Sequence, residues 1–308
     1  MEGNSRLCGL AMALWAAASA CLGGASTSAA LAQPKEAPIP RYVAMGASFT
    51  SGPGIPKPAD RPPSRCLRSE NNYPRILARK RRMALVDVSC SGATTKEVLG
   101  PWNEQPPQID AVTRDTALVT INIGGNDMGY IGGLLSSACE GASPEVRQAS
   151  SLYCAMAAVA RTTVQPRALP SAAQWEALAE RLHRINAEVR RRAPKARIVY
   201  VDYQEVLPQG RLCAEAPLTG PGEARGRAVA AKLAAVTAQV AREDKVDLLA
   251  VSNLSRGHDA CSKEPWINGL IARPGIAPSM AFHPNEPGMV AVAEALDALL
   301  GKQRAAPR

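Results

Sequence analysis

A serine that attacks a carbonyl needs a base beside it, and this chain has three histidines to offer. His183, in "RLHR", sits among basic residues and reads as a solvated face of a helix. His258 lies in "SRGHDACS", close to a cysteine, and reads as structural. His283 stands in "AFHPNEPG" just ahead of the last periodic segment, where Pro284 and Asn285 fix a turn and leave the imidazole at its mouth. The serine it would serve is Ser48, in "VAMGASFTSGPGIP" (Val43 to Pro56), where an apolar run stops at Gly46 and small, hydroxylated residues follow. Two further stretches hold residue types suited to an oxyanion: "SCSGATT" with Gly92 and "GGNDMG" with Asn126. Glycine lets a backbone N–H approach closely, and asparagine offers an amide donor. Taken singly, each residue also fits a plain turn.

What must hold these residues together is a set of strand ends. Tyr42 to Met45, Leu85 to Val88 and Ala117 to Ile123 read as short strands. Ser48, "SCSGATT" and "GGNDMG" each follow one of them. Pro53 to Pro63 is a loop, and Ser136 to Leu169 reads as an irregular insertion pinned by Cys139 and Cys154. Beyond it, "SAAQWEALAERLHRINAEVRRRAP" is a capped helix, "RIVYVDY" a strand, Gly222 to Arg242 a helix, Val246 to Val251 a strand and Asn285 to Leu299 a last helix. Strands alternating with long helices predict an α/β fold, a mostly parallel sheet covered on both faces. Ligands of such sheets sit at the carboxyl ends of the strands. There are no internal repeats.

In order along the chain, Gly46-Ala47-Ser48, Gly92, Asn126 in "GGND" and His283 in "HPNEPG" resemble the four blocks of the SGNH (GDSL-type) hydrolases, in particular the secreted, disulfide-bonded lipases and esterases among them. The resemblance spans about Arg41 to Leu299. It implies a three-layer α/β/α flavodoxin-like fold and ester hydrolysis without a cofactor or metal. Ser48 would be the nucleophile and His283 the base. The oxyanion hole would be the backbone N–H groups of Ser48 and Gly92 with the Asn126 amide. Two positions depart from the family pattern: Ala47 replaces the Asp of the first block, and Met280 stands where an Asp usually precedes the histidine by three. The expectation is therefore a Ser48–His283 dyad oriented by the backbone carbonyl of Met280, with Asp259 and Glu286 as side-chain competitors. The resemblance also implies sequential disulfides, Cys66–Cys90, Cys139–Cys154 and Cys213–Cys261.

Composition bounds what else is possible. The 308 residues suit one large α/β domain, and 46% apolar residues argue against disorder. Aromatics at 4% offer no stacking platform for nucleic acid. The net charge of +9 is scattered, and its densest run, "ARKRRM" (Ala78 to Met83), reads as a solvated helix end. Cys8 to Leu22 is apolar and of signal-core length, and Ala30-Leu31-Ala32 places a cut before Gln33. A cut before Cys21 would instead leave a lipid anchor, and the apolar run is shorter than the roughly 20 residues of a membrane span. The expected organisation is a signal peptide at 1–32, a Pro-rich leader at 33–40, a single hydrolase domain at 41–300 and a tail at 301–308, in a secreted or periplasmic monomer acting on a small-molecule or lipid ester. Six cysteines remain after such a cut, an even number that favours disulfides but by itself allows about 15 connectivities.

Other readings stay open. An α/β-hydrolase would need a second glycine where Thr50 stands. A binding module that kept the fold would explain the missing Asp, and a glycan O-acyl esterase would use the same machinery as a lipid esterase.

Overall fold

Five strands form one parallel sheet: β1 (Arg41–Gly46), β2 (Ala84–Asp87), β3 (Thr116–Asn122), β4 (Arg197–Val201) and β5 (Asp247–Leu249). Their order is β2-β1-β3-β4-β5, with every neighbouring pair parallel. This computed structural model describes residues 38–163 and 168–302. The expected signal peptide, residues 33–37 of the Pro-rich leader, and residues 303–308 of the tail lie outside them.

Side chains alternate across the central strands and divide the core in two. Tyr42 and Ala44 of β1 face one side, with Leu118, Val199 and Val201. Helices α2 (Tyr73–Arg81) and α10 (Glu286–Lys302) cover that side through Tyr73, Leu77, Met289, Val292 and Leu296. Val43 and Met45 face the other side, with Val119, Ile121, Ile198 and Tyr200. There α4 (Tyr130–Gly141), α7 (Ala172–Arg192) and α8 (Gly220–Glu243) bring in Leu134, Leu178, Leu182, Val229 and Leu233. Burial of strands on both faces explains their continuous apolar character. The result is the three-layer α/β/α arrangement with flavodoxin-like strand order, and its crevice falls where the order reverses, between β1 and β3.

The insertion between β3 and β4 is more regular than the sequence pattern suggests. Ser136 to Leu169 is largely helical, with the end of α4, then α5 (Pro144–Ala149) and α6 (Ser151–Thr163). Gly132 and Gly133 within α4 lower its helix propensity, and Leu152 and Met156 are exposed on α6, which blurs the amphipathic stripe. The short helices α1 (Ser48–Ser51), α3 (Thr95–Leu99) and α9 (Val251–Leu254) sit directly after or near strand ends. Three disulfides are present: Cys66–Cys90 and Cys213–Cys261 tie loops together, and Cys139–Cys154 joins α4 to α6. Among the described residues no helix is long and apolar enough to cross a membrane, and no cluster of three or more His, Cys, Asp or Glu residues is placed to hold a metal ion.

Candidate active site

Strand β1 ends at Gly46, whose φ of +151° suits glycine; a Cβ there would lie 2.4 Å from Thr50 Oγ1 and 2.6 Å from the Asn122 carbonyl oxygen. The chain then turns at Ala47, whose N–H donates to Asn122 O at 3.1 Å, and Ser48 begins α1. As the first helical residue, Ser48 has no intrahelical acceptor for its own N–H. Its Oγ lies 2.8 Å from His283 Nε2, across 235 residues of sequence.

His283 owes its place to the segment ahead of α10. Asn285 accepts from the Gly288 N–H at 3.1 Å and so caps that helix, while its amide donates to Pro265 O and Asn268 Oδ1. Ile267 and Pro284 form an isolated antiparallel bridge, and Asn268 N–H donates to His283 O. The other ring nitrogen, Nδ1, lies 2.8 Å from the carbonyl oxygen of Ala281.

This corrects the expected Met280 carbonyl by one residue. Met280 O is taken up by the His283 backbone N–H at 3.1 Å, closing a four-residue turn. Phe282, the third residue of that turn, has φ +58°, which rotates the central peptide and presents Ala281 O to the ring. The side-chain competitors go elsewhere: Asp259 accepts from the Cys261 N–H at 2.8 Å, and Glu286 starts α10.

His283 is 4% exposed, and the ring of Phe49 packs at 5.4 Å from it. Burial, partly offset by the bond to Ala281 O, lowers its pKa from the usual 6.5 to about 4. The imidazole is therefore neutral near pH 7, the form that can accept a proton from a hydroxyl.

Gly92 is the third residue of a turn closed by Ala93 N–H donating to Cys90 O at 3.0 Å. Its φ of +89° is that of a type II turn, in which the third N–H takes no part in the closing bond. Asn126 donates one amide proton to Ala93 O at 2.8 Å, leaving its second N–H for another acceptor. Through Cys90 N–H to Gly46 O, Ala47 N–H to Asn122 O and Asn126 to Ala93 O, the loops after β1, β2 and β3 are stitched to one another.

Several supporting residues carried no signal in the sequence. Asp127, beside Asn126, accepts from the N–H and hydroxyl of Thr95 and pairs with Arg181 of α7 at 3.3 Å. Arg225 of α8 donates to Met128 O and Gly129 O and so fastens the loop after β3. Tyr203 packs against Phe49 with its ring tilted, centroids 4.7 Å apart, and accepts from the Gly125 N–H at 2.9 Å. The other two histidines lie apart: His183 pairs with Asp244 and Glu243, and His258 stacks on Trp266 at 4.0 Å.

Comparison with known proteins adds relatives to this geometry. The profile of the GDSL-like Lipase/Acylhydrolase family matches residues 44–291. Lipase 2 of Streptomyces coelicolor is 30% identical over 294 residues, 90% of this chain and 92% of that protein. The crystal structure of phospholipase A1 from Streptomyces albidoflavus NA297 superposes with a TM-score of 0.64 at 25% identity, covering 85% of this chain and 99% of that one. The extracellular lipase of Streptomyces rimosus gives 0.63 at 27% identity, covering 84% and 99%.

Proposed function

Because the chain belongs to the GDSL-like lipase/acylhydrolase family and is a carboxylic ester hydrolase, we propose that Ser48 and His283 form its catalytic dyad. The carrying observation is the 2.8 Å contact between Ser48 Oγ and His283 Nε2 in a buried site. Ser48 Oγ attacks the ester carbonyl as Nε2 takes its proton. The Nδ1–H of the resulting imidazolium donates to Ala281 O, which fixes the tautomer and steadies the charge. His283 then gives the proton to the leaving alkoxide, and an acyl-Ser48 ester remains. Water attacks that ester by the same base and releases the acid and free Ser48.

The tetrahedral oxyanion is held by the Ser48 N–H, the Gly92 N–H and the free amide proton of Asn126. One such donor is worth on the order of 3 kcal/mol of barrier lowering. A neutral carbonyl orients the imidazole in place of a carboxylate.

The substrate class is a lipid acyl ester. Relatives named lipase and phospholipase A1 support this choice over a glycan ester. The chain acts outside the cytoplasm as a monomer, with residues 1–32 removed and 41–300 as the single catalytic domain. The apolar N-terminal run, the three disulfides and the likeness to an extracellular lipase support that placement.

The test is labelling by a serine-directed phosphonate, followed by peptide mapping, alongside turnover of lipid and short-chain esters. Labelling at Ser48, with turnover lost in Ser48→Ala, is the expected result. A folded Ser48→Ala variant with full turnover would overturn the assignment.

A further inference from the structure

We infer that Gln108 is a positioning residue for the reaction, holding the strand end from which Ser48 is presented. The inference rests on the reading of Ser48 as nucleophile.

Strand β2 pairs with β1 only as far as Ala44 opposite Asp87. Two residues on, the Gly46 carbonyl still accepts from the Cys90 N–H on that side, but the Gly46 N–H has no strand carbonyl to donate to. Gln108, on a single 3₁₀ turn (Gln108–Ala111) 62 residues away, fills the gap. Its Oε1 accepts from the Gly46 N–H at 2.8 Å, and its Nε2 donates to Gly46 O at 3.0 Å. A primary amide thus supplies the acceptor that the strand no longer offers the Gly46 N–H, and adds a second donor to the Gly46 carbonyl beside the Cys90 N–H.

The position of this clamp is what gives it consequence. Gly46 O also accepts from the Cys90 N–H at 3.0 Å, two residues before Gly92. On the other side of Gly46, Ala47 N–H donates to Asn122 O, four residues before Asn126. Gln108 therefore grips the point where the loops bearing the nucleophile and the oxyanion donors meet. Gln108 is 4% exposed, so no water replaces its amide cheaply. The 3₁₀ turn is itself anchored, by Arg41 donating to Ala111 O and by Arg192 pairing with Asp110. Without the amide, the buried Gly46 N–H has no acceptor and its carbonyl keeps only the Cys90 N–H, so the strand end loosens and Ser48 shifts with it. Misplacement by about 1 Å costs on the order of 100-fold in rate.

The experiment compares Gln108→Met, which keeps the length without the hydrogen bonds, and Gln108→Glu, which keeps only the acceptor. Measured are kcat and KM on a soluble short-chain p-nitrophenyl ester, the rate of phosphonate inactivation, and Tm. Both variants should lose roughly 100-fold in kcat and in inactivation rate, with KM within about 3-fold. Gln108→Asn, too short to reach Gly46, should behave like Gln108→Met. Folded variants with lowered Tm but wild-type kcat and inactivation rate would overturn the inference, and one folded variant suffices to decide. Failure of the wild type to label at Ser48 would sink the nucleophile assignment instead, so the two failures are distinguishable.

Discussion

His283 Nδ1 lies 2.8 Å from the carbonyl oxygen of Ala281, two residues earlier in the same turn. A backbone acceptor differs from a carboxylate in two ways: it carries no full charge, and no side-chain substitution removes it. Asp259→Asn and Glu286→Gln should therefore keep kcat within about 3-fold, whereas His283→Ala should lose orders of magnitude. Met280→Ala should also be mild, because Met280 enters the turn through its backbone. Steady-state kinetics on folded variants decide the matter. A collapse of activity in either carboxylate variant would show that a side chain does the orienting.

Acidity offers a second handle. The pKa of His283 falls from 6.5 to about 4 on burial. The acid limb of kcat/KM should accordingly lie well below pH 6.5, toward 4, wherever the fold persists. Stability carries the matching signature. Between pH 6.5 and 4 the unfolded chain binds a proton at this position that the folded one does not, so stability falls as pH drops through that window. The shift corresponds to about 3 kcal/mol at most. His283→Gln should remove this component, giving a flatter profile of unfolding free energy against pH. An identical slope in both proteins would refute the assignment of the low pKa.

The amide of Asn126 splits its two protons between Ala93 O and the space in front of Ser48 in the proposed mechanism. Asn126→Ala removes a transition-state donor together with a tie to the Gly92 loop. A fall in kcat of about 100-fold or more is expected, with a smaller change in KM. Equal losses in binding and turnover would argue for a substrate contact instead.

How much of this could be read beforehand depended on where each residue stood. Ser48, Gly92 and Asn126 each follow an apolar strand, and His283 precedes a capped helix, so residue type and element boundary pointed the same way. The partner of His283 was expected one residue too early, at Met280 instead of Ala281, because it turns on the sign of φ at Phe282. A bulky residue in that region is uncommon and leaves no mark in composition. Gln108 was silent for another reason: it sits in the proline-rich "EQPPQID", and its partner is a backbone peptide rather than a side chain. The parallel sheet follows from strand–helix alternation, whereas its strand order came only with the family resemblance, and the helices of the insertion were obscured by glycines in α4 and exposed leucine and methionine on α6.

The disulfides should separate stability from turnover. Cys139–Cys154 joins α4 to α6, and opening its short loop should cost on the order of 3 kcal/mol in the chain-entropy model while sparing kcat. Cys66–Cys90 is different. Cys90 N–H holds Gly46 O, and Cys66 O accepts the Ser91 N–H beside Gly92. Replacing this pair by alanines should lower kcat as well as Tm. Paired measurements of Tm and kcat on the two double variants check the contrast, and equal kcat in both would contradict it.

The parts of the site are gathered very unevenly along the polypeptide. Gly46, Ser48, Gly92, Gln108 and Asn126 come from the first half, whereas His283 arrives only with the segment that caps α10. During synthesis the nucleophile and its donors therefore emerge long before anything can deprotonate them. In the proposed mechanism, a nascent chain carries a serine with no base until the segment with His283 has folded. On that mechanism, competence for hydrolysis begins only when α10 packs with α2 against the sheet and seats His283 beside Ser48.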